Sequence, residues 1–173
     1  MFGLDARIAL AIFGGLSIVT GAVLYTVMSE IAITRRITEM NNVGKAIQAY
    51  ALDTAVYPAA IEDLLSDTPI GWNGPYLQIE DADALNNNIL RSSTGDDMVL
   101  HYRRDTAWAN VLVAPGCNST DACGIYIQML VDQTIGDKID LRVDGVASTT
   151  TGNVRLNVLG AYYVMGYNIG FRR

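Results

Sequence analysis

The stretch IALAIFGGLSIVTGAVLYTVM, residues 8–28, decides the fold of this chain. It is 21 residues long and carries no charge. As an α-helix it would extend about 31 Å at roughly 1.5 Å per residue. That length matches the hydrocarbon core of a bilayer, which is about 30 Å thick. The sequence therefore predicts an apolar helix that enters either lipid or an assembly of other copies of itself.

The length of this stretch distinguishes it from a cleaved signal peptide. The apolar region of a signal peptide has about 7 to 15 residues and is followed by a small-residue cleavage site. No such site follows cleanly here, and the preceding MFGLDAR holds one Asp and one Arg rather than a basic cluster. We therefore expect the segment to be retained.

The helical pattern continues beyond Met28. Apolar residues recur at steps of three and four, which marks one face of a helix, while charged and polar residues occupy the other face. The residue before Pro58 is pushed out of the α region, so Tyr57-Pro58 ends the helix. We expect one helix from about residue 2 to about residue 54, apolar in its first half and amphipathic in its second. The second half would then lie on a soluble domain.

Three glycines interrupt the apolar half, namely Gly14, Gly15 and Gly21. Each costs about 1 kcal/mol relative to alanine inside a helix. Glycines are common in membrane helices as points of close packing. Alternatively, they allow this half of the helix to unwind when it leaves lipid. The residues alone leave both interpretations open.

The rest of the chain has the pattern of a small mixed domain. The connector GWNGPYL (71–77) is rich in turn formers, and Trp72 and Tyr76 can anchor it to a core. We expect a short helix at 59–70 and a long polar loop at 78–96. The predicted strands are 98–103, 108–113 and 124–130, with a final strand or strand pair at 154–168 broken at Gly160. Residues 134–144 fit either a short helix or an irregular strand.

The predicted class is α+β, with a long N-terminal helix packed on a small antiparallel β-sheet. We divide the chain into residues 1–28 (apolar helix), 29–57 (amphipathic continuation) and 58–173 (head). The 173 residues carry a net charge of −6. Binding to a nucleic-acid backbone rests on Lys and Arg that neutralise phosphates, so we expect no nucleic-acid partner.

The two cysteines, Cys117 and Cys123, lie close together in the sequence. A zinc site would need more ligands, and a redox CxxC motif is absent. After a membrane span an oxidising compartment is plausible, so we interpret the pair as a local disulfide, with two free thiols as the alternative.

The sequence has few features that indicate catalysis. The single histidine, His101, falls in a strand pattern without a nucleophile or carboxylate at motif spacing, so we interpret it as structural or surface-exposed. The series Asp132, Asp137, Asp140 and Asp144 lacks the spacing of a calcium loop, and we interpret these residues as solvated carboxylates. Asn118 begins a three-residue glycosylation pattern of a kind that often arises by chance. We expect no enzyme activity, no metal and no cofactor.

Asp5 says more about function than the aspartates of the C-terminal third. An ionised group at the end of an apolar span still needs a partner. Met1 lies four residues away, and its free amino group is cationic near neutral pH, so the two can neutralise each other within or between chains. Arg7 can snorkel to the membrane surface or pair with Asp5 of another copy, but it does not face its own Asp5. The alternative is that both charges simply lie among lipid head groups.

These residues resemble a known family. The start MFGLDARIALAIFGGLSIVTGAVLYTVMSE is similar to the mature N-terminus of type IV pilins and of the related pseudopilins of type II secretion. The segment NNVGKAIQAYALDTAVYP (41–58) resembles the helix end of these proteins. GWNGPYL resembles a segment of the major pseudopilin, and IDLRVDG followed by TTGNVR resembles a C-terminal segment of some pilins more loosely. Two residues depart from the usual pattern, since the family generally has Glu at the fifth position and an apolar residue where Arg7 stands.

The resemblance implies a filament subunit. In this family a prepilin peptidase removes a leader, the new N-terminus is methylated, and the carboxylate at position five assists assembly. Met1 and Asp5 would take these roles. Subunits would wait in the inner membrane and be drawn by an assembly motor and platform into a helical homo-oligomer, the pilus or fimbrium on the cell surface. Two alternatives remain open: a single-span anchored binding or sensor domain, and a pseudopilin of a secretion system that does not polymerise.

Overall fold

The computed structural model describes residues 3–66, 69–79, 88–104, 117, 123–148 and 151–172. The chain divides into two compact units, Met1–Thr34 and Arg35–Arg173, and each is described by itself.

Helix α1 spans Leu4–Thr54, close to the predicted bounds. Thr54 donates its hydroxyl to the Tyr50 carbonyl over 2.8 Å. The next residue, Ala55, has a φ of 59°, in the left-handed region that helices do not continue through. The helix thus ends at Thr54, four residues before Pro58.

Five antiparallel strands form one sheet in the order β1-β2-β3-β5-β4. They are β1 (Ile89–Arg91), β2 (Asp97–Arg104), β3 (Cys123–Asp132), β4 (Val154–Leu159) and β5 (Tyr162–Arg172). The α+β class is therefore confirmed. Strands were correctly predicted at 98–103 and 124–130, and the final segment is a strand pair that turns at Gly160, whose φ is 62°. The strand predicted at 108–113 lies outside the described residues.

Two short elements differ from the sequence-based expectation. The loop predicted at 78–96 contains β1, because Leu90 pairs with Met98 across the hairpin. The helix predicted at 59–70 is a single 3₁₀ turn, Ile61–Leu64.

The ambiguous segment 134–144 is helical, as α2 (Gln133–Asp144). Asp132 caps its N-terminus by accepting from the Thr134 N–H over 2.8 Å. Gly145 ends it with a φ of 78°, a conformation that glycine adopts without steric cost.

The second half of α1 packs on one face of the sheet within the unit Arg35–Arg173. Its buried residues keep helical spacing: Met40, Val43, Ile47 and Tyr50. A Cβ added at Gly44 would lie 3.1 Å from the Ile169 side chain on β5, so helix and strand are in close contact there. Tyr167, two residues earlier on the same face of β5, donates its hydroxyl to Asn41 Oδ1 over 2.8 Å.

Helix α2 covers the same sheet face further along β5. A Cβ at Gly136 would lie 2.6 Å from the Tyr163 ring. Tyr163 precedes Tyr167 by four residues in a regular part of β5, so the two side chains lie on the same face of the sheet. The two helices therefore form one layer on the sheet, as expected for a two-layer α+β domain.

Polar contacts fix the helix against the loop between β1 and β2. Arg36 Nε lies 2.7 Å from Asp96 Oδ2, with side chains only 10% and 16% exposed. Glu39 accepts from the Ser93 N–H over 2.7 Å. The connector 71–77 is anchored as expected from its aromatic residues: Tyr76 donates its hydroxyl to Asp53 over 2.7 Å, and its ring contacts Tyr50 edge to face.

Candidate functional site: the N-terminal helix

The first half of α1 exposes its apolar side chains all around. Phe13 is 71% exposed, Ile18 76% and Tyr25 80%. An 18-residue window of this helix has a mean hydropathy of 2.1, and none of that window is buried. By length and composition the helix can cross a membrane, so it can serve as an anchor.

Hydroxyl groups inside this apolar surface are satisfied by the helix itself. Ser17 donates to the Phe13 carbonyl and Thr20 to the Leu16 carbonyl, each over 2.8 Å. Thr26 donates to the Ala22 carbonyl over 3.2 Å. Because an unsatisfied polar group is costly in a water-free environment, these bonds let the Ser17, Thr20 and Thr26 hydroxyls enter lipid or a protein core as paired donors.

Gly14, Gly15 and Gly21 are all helical in the structure. A Cβ added at any of them would meet nothing within 4 Å. The single chain therefore contains no contact that requires these glycines. Close packing against another helix and unwinding on exit from lipid both stay as predictions.

Asp5 and Arg7 are both solvent-exposed on the first turns of α1. No ion pair joins them to each other or to any residue in the described part of the chain. They are separated by two positions, or about 200° around a helix axis at about 3.6 residues per turn. Met1 lies outside the described residues, so its pairing with Asp5 stays a prediction.

The acidic series in the head is not uniformly solvated. Asp132 and Asp137 are exposed and Asp144 is half-buried, but Asp140 is fully buried, so the prediction was wrong for that residue. Asp140 Oδ2 accepts from the Ser148 N–H over 2.6 Å, and its Oδ1 has no hydrogen-bond partner. Burial raises the pKa of Asp140, and the neighbouring Asp144 carboxylate raises it further, against the lowering effect of the Ser148 N–H.

Asp144 organises the loop between α2 and β4. Its Oδ2 accepts from the Val154 N–H over 2.7 Å, and its Oδ1 accepts from the Asn153 amide over 3.2 Å. The two aspartates therefore accept hydrogen bonds from the backbone N–H groups of Ser148 and Val154, which follow α2 in the chain. Within the residues that the structure describes, no cluster of three or more His, Cys, Asp or Glu side chains could hold a metal ion.

His101 lies on β2 beside Arg103, with 3.3 Å between Arg103 Nη2 and His101 Nδ1. Burial and the positive charge of Arg103 lower the pKa of His101 to about 4. The imidazole is therefore neutral at physiological pH, in keeping with the interpretation of this residue as structural.

Cys117 and Cys123 form a disulfide with their Cα atoms 6.1 Å apart, as predicted. Cys123 is buried at the start of β3, which is the central strand of the sheet. Asn118 lies outside the described residues.

Sequence reasoning missed the buried Arg36–Asp96 ion pair and the burial of Asp140. It also missed an open groove of about 610 Å³ beside α1, lined mainly by polar residues that include Asn41, Lys45, Gln48 and Tyr167. The polar pattern of α1 indicates that Asn41, Lys45 and Gln48 are accessible. Only the fold shows that β5, which carries Tyr167, lies beside them.

Comparison with known proteins returned no matching family model, no matching curated protein and no matching solved structure.

Proposed function

We propose that this chain is the structural subunit of a type IV pilus-like filament that assembles through its N-terminal helix. The observation that carries the proposal is the uncharged surface over residues 8–28, which is exposed on every side in the single chain. A soluble monomer rarely exposes so large an apolar surface. The surface therefore needs lipid or protein around it.

The same surface suits both environments. In the membrane it contacts acyl chains, and in a filament it contacts the same helix of neighbouring copies. Since lipid tails are as apolar as leucine, the transfer has little hydrophobic driving force, and packing together with polar pairs decides the arrangement. Removal of a leader, methylation of Met1, and extraction from the inner membrane by a motor and platform follow from the resemblance to pilins.

The burial of the second half of α1 also supports this proposal. The second half of α1 is an integral part of the unit Arg35–Arg173, which we call the head from here on, since Met40 and Ile47 are fully buried there. One continuous helix thus belongs to both units.

Two other functions would use the same anchor: a single-span membrane-bound binding or sensor domain, and a pseudopilin that does not polymerise. Intact mass distinguishes processing, because a methylated Met1 without a leader supports assembly. Electron microscopy of surface filaments distinguishes polymerising from non-polymerising chains.

The decisive experiment changes the charge at Asp5 and nothing else. We expect Asp5→Asn to reduce filaments by at least about tenfold, because the substitution removes one elementary charge at nearly constant volume. Asp5→Glu retains the charge and should form filaments. Both variants should remain in the membrane fraction, since residues 8–28 are unchanged.

Filaments of wild-type abundance from Asp5→Asn would contradict the role given to this carboxylate. A wild-type chain that carries a methylated Met1, sits in the membrane and forms no filaments in the presence of its assembly system would contradict the proposed function. That result would favour the anchored domain or the non-polymerising pseudopilin.

A further inference from the structure

Asp5 and Arg7 are the only charged residues between Gly3 and Ser29. Both are exposed, and neither has an ion-pair partner among the residues that the structure describes. Their side chains leave the helix about 200° apart. They therefore cannot neutralise each other within one chain.

This inference rests on the proposed filament. When residues 8–28 become a protein core, the adjoining turns lose access to water, and an unpaired charge there is strongly destabilising. At the membrane surface Arg7 can reach water by snorkelling, but a filament core removes that option. Met1 precedes Asp5 by four residues in the sequence. A cationic amine there would serve Asp5 and would leave Arg7 without a partner.

We propose that Asp5 of one copy forms an ion pair with Arg7 of a neighbouring copy. Two positions correspond to about 3 Å along a helix axis, so parallel helices need only a small stagger to bring the groups together. The planar guanidinium of Arg7 can bind the Asp5 carboxylate through two parallel hydrogen bonds.

The angular separation has a consequence for assembly. In parallel helices, two side chains about 200° apart cannot both face the same neighbour. Each copy therefore offers Asp5 to one neighbour and Arg7 to a different one. Such a contact is heterologous and does not close as a two-fold dimer, so it can propagate into an open helical assembly.

Charge reversal tests this pair in the full-length chain, expressed with its assembly system. Asp5→Arg gives a chain with two cations at these positions, and Arg7→Asp gives a chain with two anions. We expect each variant alone to lose filaments by at least about tenfold. Co-expression of the two should restore filaments in which they alternate, and the double variant Asp5→Arg/Arg7→Asp should assemble by itself.

Arg35→Asp is the matched control, because Arg35 is an exposed cation on the same helix beyond the apolar segment. It should leave filament abundance within about twofold of wild type. Membrane retention and the intact mass of the N-terminus should be measured for every variant, so that a defect in insertion or processing is separated from a defect in assembly.

Wild-type filament abundance from Arg7→Asp would overturn the pair while leaving the filament proposal intact. The same conclusion follows if the double variant and the co-expressed chains are processed normally but assemble no better than the single variants. Absence of filaments from the wild-type chain would instead overturn the proposed function, and the pair with it.

Discussion

At the scale of single residues, Asp140 is a carboxyl group whose burial disfavours its ionised form. Asp140 is fully buried, and Asp144 lies one turn further along the same helix. Two carboxylates at i and i+4 repel each other by about 0.2–0.5 kcal/mol even on exposed helices. Burial and the Asp144 charge therefore both favour the protonated form of Asp140, which raises its pKa above the ordinary value of 3.8.

The raised pKa fixes the sign of a pH dependence. Because the folded state holds this proton more tightly than the unfolded state, the contribution of Asp140 to stability is complete below its ordinary pKa. It is lost as the pH rises through the raised folded value. Asp140→Asn keeps an acceptor for the Ser148 N–H and cannot ionise. We expect its melting temperature relative to wild type to increase as the pH rises from about 4 to 8.

Thermal unfolding followed by circular dichroism across that range measures the difference. Asp97→Asn is the control, since the Asp97 side chain is 52% exposed and its ion pair with Arg91 lies at the surface. The rise in relative melting temperature expected of Asp140→Asn should exceed any change seen for Asp97→Asn. Parallel pH curves for wild type and Asp140→Asn would contradict the account of Asp140.

At the scale of elements, α1 has two halves with different energetics. Ile47 is fully buried in the head, whereas Leu24 is 60% exposed on the apolar half. Removing buried methyl groups leaves a cavity, and Ile→Ala costs about 2–5 kcal/mol at such sites. We expect Ile47→Ala to destabilise the head by this amount and Leu24→Ala to change it by less than about 0.5 kcal/mol.

Denaturant unfolding of the full-length chain in mild detergent, followed by near-ultraviolet circular dichroism of the head aromatics, measures both variants. Leu24→Ala and Ile47→Ala both shorten an aliphatic side chain to Ala on one helix, so their comparison isolates burial. Equal destabilisation by the two would show that the apolar half contributes to the stability of the head.

How much of this architecture can be predicted from sequence depends on how local its causes are. Periodicity located α1, and turn residues located the β4–β5 hairpin at Gly160, because these patterns span only a few residues. Strand β1 was missed because three residues form a strand only through pairing with β2. The burial of Asp140 was missed because its polarity resembles that of a solvated face, and the loop that covers it begins several residues later.

The candidate site followed the same rule. The apolar segment, Asp5 and the disulfide could be read from composition and spacing. The ion pair between Arg36 and Asp96 joins residues 60 positions apart, and no local pattern relates them. The sequence therefore identified the exposed apolar segment. The structure was needed to find the long-range contacts that stabilise the head.

At the scale of the whole molecule, the two units differ in whether their apolar residues are buried within the single chain. The head buries a core of apolar residues within one chain, while residues 8–28 leave theirs exposed. Charges introduced at the centre of the apolar segment should therefore affect membrane retention without affecting the fold of the head. Each Lys at the centre of a membrane helix costs about 2.5–3.5 kcal/mol on insertion scales.

The double variant Ile18→Lys/Val19→Lys tests this separation, with Leu52→Lys/Val56→Lys as the matched control at residues 85% and 52% exposed in the head. We expect the first variant to be lost from the membrane fraction after alkaline extraction, because its added insertion cost is about 5–7 kcal/mol. The control should stay with the membrane, since its lysines lie outside the apolar segment. Both should keep the melting temperature of the head. If Ile18→Lys/Val19→Lys remained fully membrane-bound, the anchor would have to lie outside residues 8–28; if it unfolded the head, the apolar half would be part of the core.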